Sequence, residues 1–409
     1  MDARSYLDAA IERRGTNCYK WDRRPVNAAG APLLPMWVAD MDFACAPAIR
    51  RALEERVAHP VYGYTFASSE DRRVFREWQE SRNGWAVDER WLVPAPSVMP
   101  AIRAAILAFT NPGDEVVIQT PVYYPFFDAI RENGRSILAN PLVADGSAGD
   151  DEPYRIRYRM DLDRLEQSIT PRTRLLLLCS PHNPVGRVWT RRELAELADI
   201  CLRHELVVIS DEIHCDIRRG DVEFTPLATV SPEIASRTIA CHSVSKTFNL
   251  AGVASAQIVV PDDDLRARLK ATLARLGMTL PNALSLAAAR AAYGESAEWA
   301  DALTSYLDDQ IAWFAAELVR RLSAIAMPRI EGTYLAWLDF RSVLRRTGAT
   351  HRDAERTLVE EAALWLSDGM QFGENGEGFF RMNLATPRQL AADGLARLER
   401  AVRLLEDRA

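Results

Sequence analysis

From Trp91 to Val260 short apolar runs alternate with amphipathic stretches of helical period. The apolar runs are Leu92-Val93, Glu115–Gln119, Ser136–Leu142, Thr173–Cys179, Leu206–Ile209, Thr238–Cys241 and Ala256–Val260. Between them lie helical stretches at Ala101–Phe109, Phe126–Asn133, Leu162–Ile169 and Arg191–His204. Strands that alternate with helices pair in parallel, because a parallel neighbour can be reached only through a crossover. The pattern therefore predicts a mostly parallel sheet covered by helices on both faces. In such sheets ligands bind beyond the carboxyl ends of the strands.

Three stretches fall at those ends and carry chemistry. His242-Ser243-Val244-Ser245-Lys246-Thr247 follows the strand Thr238–Cys241. Its lysine can join an aldehyde as a Schiff base, and its hydroxyls and amides can hold a phosphate. Asp211-Glu212 ends the strand Leu206–Ile209, where a carboxylate can hold a proton on a heteroaromatic nitrogen. Ser180-Pro181-His182-Asn183-Pro184-Val185-Gly186 follows Thr173–Cys179, and Asn183 can donate to a phenolic oxygen. Each has an ordinary structural explanation alone, since Asp caps helices and Asn-Pro makes turns. Together they match what pyridoxal 5'-phosphate requires: a lysine for the aldehyde, a carboxylate for the ring nitrogen, and donors for the ring hydroxyl and phosphate.

The flanks read differently. Residues 1–34 are polar, with a short amphipathic start near Tyr6–Arg13, and Pro35–Phe43 is a loop rich in Trp, Met and Asp. Pro47–His59 is predicted helical, because Ile49, Leu53 and Val57 recur every fourth residue. Val61–Thr65 is an aromatic turn around Gly63, and Arg72–Arg82 is a helix closed by Asn83-Gly84. Asp145–Pro153 reads as an acidic surface loop. After Pro281 the chain gives a long helix, Ala297–Ile325, then strands at Tyr334–Phe340 and Phe379–Leu384 around a helix at Asp353–Ala363. Gly373–Gly378 follows no strand-to-helix turn and reads as a loop, not a nucleotide motif.

Composition excludes some functions. A formal net charge of -7 without a long basic run argues against nucleic-acid binding. No apolar run approaches a membrane span, and Met1–Tyr6 lacks the apolar core of a signal peptide. The six cysteines form no C-x-x-C pair, so free thiols in a cytoplasmic setting are expected and a metal site is not.

Asn183-Pro184-x-Gly186, Asp211-Glu212-Ile213-His214, Ser243-x-Ser245-Lys246 and Arg381-Met382-Asn383 resemble the marks of fold-type I pyridoxal-phosphate enzymes of aminotransferase class I and II. Pro35–Phe43, Tyr62–Thr65 and His182–Trp189 resemble the C–S lyase branch, of the MalY/PatB or cystathionine β-lyase type. The resemblance implies an α/β, aspartate-aminotransferase-like fold. It has a large domain at residues 47–293 with a mostly parallel, seven-stranded type of sheet. A smaller α+β domain at 294–409 is joined by an N-terminal arm, 1–46.

The resemblance also implies roles. Lys246 carries the aldehyde and acts as base. Asp211 partners the ring nitrogen, Asn183 the ring hydroxyl, and Tyr123 stacks on the ring. Ser243 and Ser245, with Ser97, Val98 and Met99, form the phosphate cup opening the helix at Ala101. Arg381, with Trp37 and Asn183, holds the substrate. Tyr64 reaches the neighbouring subunit's site, which implies a homodimer with shared sites. His214 stands where many relatives carry Tyr, and Ala254 where many aminotransferases carry an Arg eight residues after the lysine; the lyase branch tends to lack that Arg.

The expected reaction is α,β-elimination of cystathionine or another cysteine S-conjugate, an amino-acid substrate, to thiol, pyruvate and ammonia. An aminotransferase, another pyridoxal-phosphate activity on a sulfur-containing biosynthetic intermediate, and a regulatory protein that keeps only the fold are the alternatives.

Overall fold

The computed structural model describes residues 3–146 and 154–409. Most of the acidic Asp145–Pro153 loop lies outside the described residues. Seven strands form the central sheet: β1 (Leu92–Ala95), β2 (Glu115–Ile118), β3 (Ser136–Ala139), β4 (Thr173–Cys179), β5 (Val207–Asp211), β6 (Thr238–His242) and β7 (Ala256–Val259). Their spatial order is β1-β7-β6-β5-β4-β2-β3. β7 alone runs against the others, pairing antiparallel with both β1 and β6.

Strand periodicity explains why both faces are covered. In β4, Leu175, Leu177 and Cys179 enter one core, while Leu176 and Leu178 enter another. β2 divides likewise, with Val116 and Ile118 on one face and Val117 on the other. Val98–Phe109 and Asp263–Arg275 cover the first face, and Arg191–Arg203 the second. Local signals fix the helix ends. Thr190 and Glu193 make a capping box at the start of Arg191–Arg203. Gly84 ends Ser69–Asn83 at φ 62, a left-handed position suited to glycine.

The register sets β4, β5 and β6 level at their carboxyl ends, pairing Cys179 with Asp211 and Asp211 with Cys241. The reversed β7 brings its amino end to the same edge, so Ser255 accepts a hydrogen bond from Ser243 Oγ at 2.5 Å.

The C-terminal portion has a three-stranded sheet of Leu335–Asp339, Phe379–Asn383 and Ser367–Asp368. The N-terminal arm packs there: Leu34–Pro35 pairs in parallel with Leu364–Trp365, and Trp21, Leu34 and Met36 join the core of Phe314, Leu338 and Leu395.

Several boundaries differ from the sequence reading. The first helix is Ala3–Leu7, not Tyr6–Arg13. Arg13 instead pins the chain to the arm loop, donating to Met41 O at 2.8 Å and to the carboxylates of Asp40 and Asp42. The helix expected at Ala101 begins at Val98, because Pro100 fits in a first turn, where its missing N–H costs nothing. The long helix stops at Arg321, and the Asp353–Ala363 stretch is a short helix, His351–Arg356, continued by a π turn over Thr357–Glu361.

Candidate active site

The carboxyl edge of the sheet opens into a cavity of about 180 Å³. Ser97, Val98, Met99, Tyr123, Asn183, Asp211, His214, Ser243, Ser245 and Lys246 all line it. Residues spread over 150 positions of sequence thus face one small volume. Arg381 and Trp37 adjoin it: Arg381 Nη1 donates to Asn183 Oδ1 at 2.8 Å, and Nη2 to Trp37 O at 2.8 Å. Tyr64 does not join them. It is 97% exposed, on a loop that also exposes Val61, Tyr62 and Phe66.

Lys246 occupies the short helix Val244–Thr247, which Ser243 caps by accepting from Ser245 N–H. Its Nζ donates to Ala39 O at 2.7 Å. Burial, reinforced by the nearby Arg381 charge, lowers the Lys246 pKa to about 8. Asp211 is buried, and its Oδ1 accepts from Ile213 N–H at 3.2 Å. Burial pushes its pKa up to about 7, because among the described residues no cation pairs directly with it. Asn183, which lines the cavity, has its Oδ1 occupied by Arg381, so its amide hydrogens are what it can offer a ligand.

At the other end, Ser97 precedes the helix Val98–Phe109 without capping it through its side chain. Ser97, Val98 and Met99 line the cavity, so it lies at the positive end of a 12-residue helix, whose first-turn N–H groups have no intrahelical partner. Ala254 lines the cavity at φ 35, a conformation that costs a non-glycine residue energy.

These features fit pyridoxal phosphate. The buried carboxylate lacks a cationic partner, the amine is partly desolvated, and an anion-seeking helix start lies across from them. His214 Nδ1 is also buried without a hydrogen-bond partner.

Sequence reasoning missed several neighbours. The acceptors for Lys246 and Arg381 are backbone carbonyls of Ala39 and Trp37; the sequence reading named Trp37 as a substrate neighbour but not Ala39, and neither carbonyl. Ser367 Oγ accepts from Arg381 Nη2 at 3.2 Å, and the Phe372 ring lies 4.8 Å from its guanidinium carbon. Beneath Asp211, Glu212 Oε2 sits 3.3 Å from His242 Nε2. Burial raises the Glu212 pKa to about 8 and lowers that of His242 to about 3, so this pair is held neutral near pH 7.

A lysine, an aspartate and an asparagine at adjoining strand ends of a mostly parallel sheet define a class, and residues 68–398 match the model of aminotransferase class I and II. The chain belongs to that family. Cystathionine beta-lyase PatB of Bacillus subtilis is 37% identical over 397 residues, covering 97% of this chain and 99% of PatB. Protein MalY of Escherichia coli is 34% identical, covering 96% of this chain and 97% of MalY. Cystalysin from Treponema denticola, whose crystal structure contains pyridoxal 5'-phosphate, superposes with a TM-score of 0.89 at 32% identity, covering 98% of this chain and 99% of that one.

Proposed function

We propose that the chain is a pyridoxal-phosphate-dependent C–S β-lyase that converts cystathionine or another cysteine S-conjugate to thiol, pyruvate and ammonia. One observation carries the reading: Lys246 Nζ, Asp211 and Asn183 meet in a single cavity, with Arg381 bonded to Asn183 at its rim. The name of PatB, a cystathionine beta-lyase, supports C–S cleavage over transamination.

Bound pyridoxal phosphate supplies the electron sink that makes the substrate's Cα–H bond acidic. The Asp211 carboxylate would hold the proton on the ring nitrogen. Asn183 would donate to the ring hydroxyl, Tyr123 would stack on the ring, and His214 would adjoin it. Ser97, Val98, Met99, Ser243 and Ser245 would bind the phosphate. Arg381 grips the substrate carboxylate as a planar two-toothed donor, and the Trp37 carbonyl holds that guanidinium in place. Lys246 Nζ, once free, takes the Cα proton as general base; a pKa lowered to about 8 leaves a large neutral fraction near that pH. The Cβ–S bond then breaks with its electron pair going to sulfur, and the released enamine hydrolyses to pyruvate and ammonia.

Substrate and leaving group decide between elimination and transamination. A thiolate departs from Cβ far more readily than a carbon side chain, and both reactions share the proton abstraction. Cystathionine should therefore yield equal amounts of pyruvate and thiol without any keto acid. Pyruvate and thiol assayed with and without 2-oxoglutarate check this. Turnover only with the keto acid, with glutamate accumulating, would make the enzyme an aminotransferase.

We also read the active unit as a homodimer. The exposed apolar run of Val61, Tyr62, Tyr64 and Phe66 supports this, since contiguous apolar surface marks interfaces. Tyr64 would complete the partner's site. Mixing Tyr64→Phe and Lys246→Ala subunits should then restore activity, because each hybrid carries one intact site. Verified exchange without recovery would show that Tyr64 does not act across the interface.

The remaining assignments follow. Residues 47–293 form the large domain, and 294–409 with the arm 1–46 form the small one. No described helix is long and apolar enough to cross a membrane, and all six cysteines are free, which supports a cytoplasmic setting.

A further inference from the structure

A second and larger cavity, of about 1160 Å³, is lined by Trp37 and Ser367, two of the residues that Arg381 bonds. Arg381 ties the two cavities together: it bonds Asn183, which lines the first, and Trp37 O and Ser367 Oγ, whose residues line the second. A cysteine held by Arg381 thus has its sulfur substituent facing one of two volumes. The first is small and already matched to the cofactor. The second far exceeds what the homocysteine half of cystathionine would fill.

Its wall is aromatic. Trp37 and Trp365 stack at 4.6 Å and 20°, and Tyr19 tilts against Trp37 at 5.2 Å. Arg23 lies on that wall, its guanidinium carbon 4.8 Å from the Tyr19 ring and 5.7 Å from the Trp37 ring. Arg24 is neutralised by Glu360 at 2.5 Å, whereas Arg23 and Arg131 make no ion pair among the described residues. Asp128 and Glu374 also line the cavity, so it is not a general anion trap. Arg131 lies over the single ring of Phe127, whereas Arg23, which donates to the Tyr19 hydroxyl, is the cation without an ion pair among the described lining residues that meets the stacked Trp37–Trp365 pair.

We infer that this cavity receives the thiol half of the substrate, and that the half it fits is a planar aromatic ring bearing an anionic group. The ring lies against Trp37 and Trp365, and the anion meets Arg23. The inference rests on the lyase reading for its chemistry, but not for its binding.

Three thioethers test it on the loaded enzyme: S-methylcysteine, S-benzylcysteine and S-(4-carboxybenzyl)cysteine. The expected order of kcat/KM is carboxybenzyl, then benzyl, then methyl. Arg23→Gln should shrink the carboxybenzyl-to-benzyl ratio about threefold to fivefold, the range of a solvent-exposed ion pair. Trp365→Ala should shrink the benzyl-to-methyl ratio about tenfold, as loss of a ring contact does. Calorimetry with 4-(mercaptomethyl)benzoate and benzyl mercaptan reads the cavity without turnover. The acid should bind more tightly, and Arg23→Gln should remove the difference.

If none of the thioethers gives pyruvate but the acid still binds through Arg23, the lyase reading fails and the cavity assignment stands. Equal binding of the two thiols, or ratios that neither variant moves, overturns the assignment. Dissociation of the oligomer by either variant would make the cavity a subunit interface and overturn it too.

Discussion

Lys246→Ala is expected to lower turnover of cystathionine by about 10⁴-fold, the upper end of what loss of a positioned general base costs. Lys246 is the one lysine among the described residues that line the cavity, so no neighbouring amine can take its place. Its Nζ already sits against Ala39 O at 2.7 Å, which fixes where it points. Folding should survive, because alanine removes a partly desolvated amine whose charged form the protein disfavours. Circular dichroism and cofactor binding would check that. Borohydride treatment of the wild type, followed by peptide mapping, should place a pyridoxyl group on Lys246. A label on another lysine, or an alanine variant within tenfold of the wild type, removes Lys246 from the role.

The part of this site legible in the sequence is the part encoded by residue type at strand ends. Lys246, Asp211 and Asn183 each follow an apolar run, and the β–α alternation alone puts their runs side by side. Thr173–Cys179 is a strand with the bounds expected, and β5 continues two residues past its expected end, so that Asp211 closes the strand itself. What could not be read is whatever depends on backbone or on tertiary closeness. Ala39 serves through a carbonyl that every residue possesses, so no residue type marks it, and Trp37, named from the sequence beside the substrate, holds Arg381 through its carbonyl and not its ring. Glu212 and His242 are held neutral only because the fold buries them together. The large cavity is assembled from segments far apart in sequence, among them those around Tyr19, Ala139 and Trp365, and none of these three carries a motif. Tyr64 shows the reverse case: the sequence marks it, and a single chain leaves it in solvent.

Asp211→Asn should move activity and stability in opposite directions. With cofactor bound, asparagine cannot keep the ring nitrogen protonated, and loss of such a preorganised electrostatic partner slows a step by about 10²–10³-fold. Without cofactor, the same carboxylate is buried beside Ile213 N–H and no direct cation, and its pKa rises to about 7. A carboxyl group with a raised folded pKa binds more protons in the native state than in the unfolded chain. Stability contributed by that protonated form therefore falls as pH rises from about 4 to about 7 and stays lost above. The cofactor-free asparagine variant has no such group. It should melt at a higher temperature than the cofactor-free wild type at pH 8, and the gap should close as pH falls toward 4. A shift of this size corresponds to a few kcal/mol, since each pKa unit is worth about 1.4 kcal/mol. Adding pyridoxal phosphate should reverse the order, because only aspartate gains a proton-bearing partner on binding. Thermal melts at several pH values, with and without cofactor, test both signs. A variant less stable than wild type without cofactor at pH 8 would mean that Asp211 already has a partner in the folded protein, and its place opposite a ring nitrogen would fall.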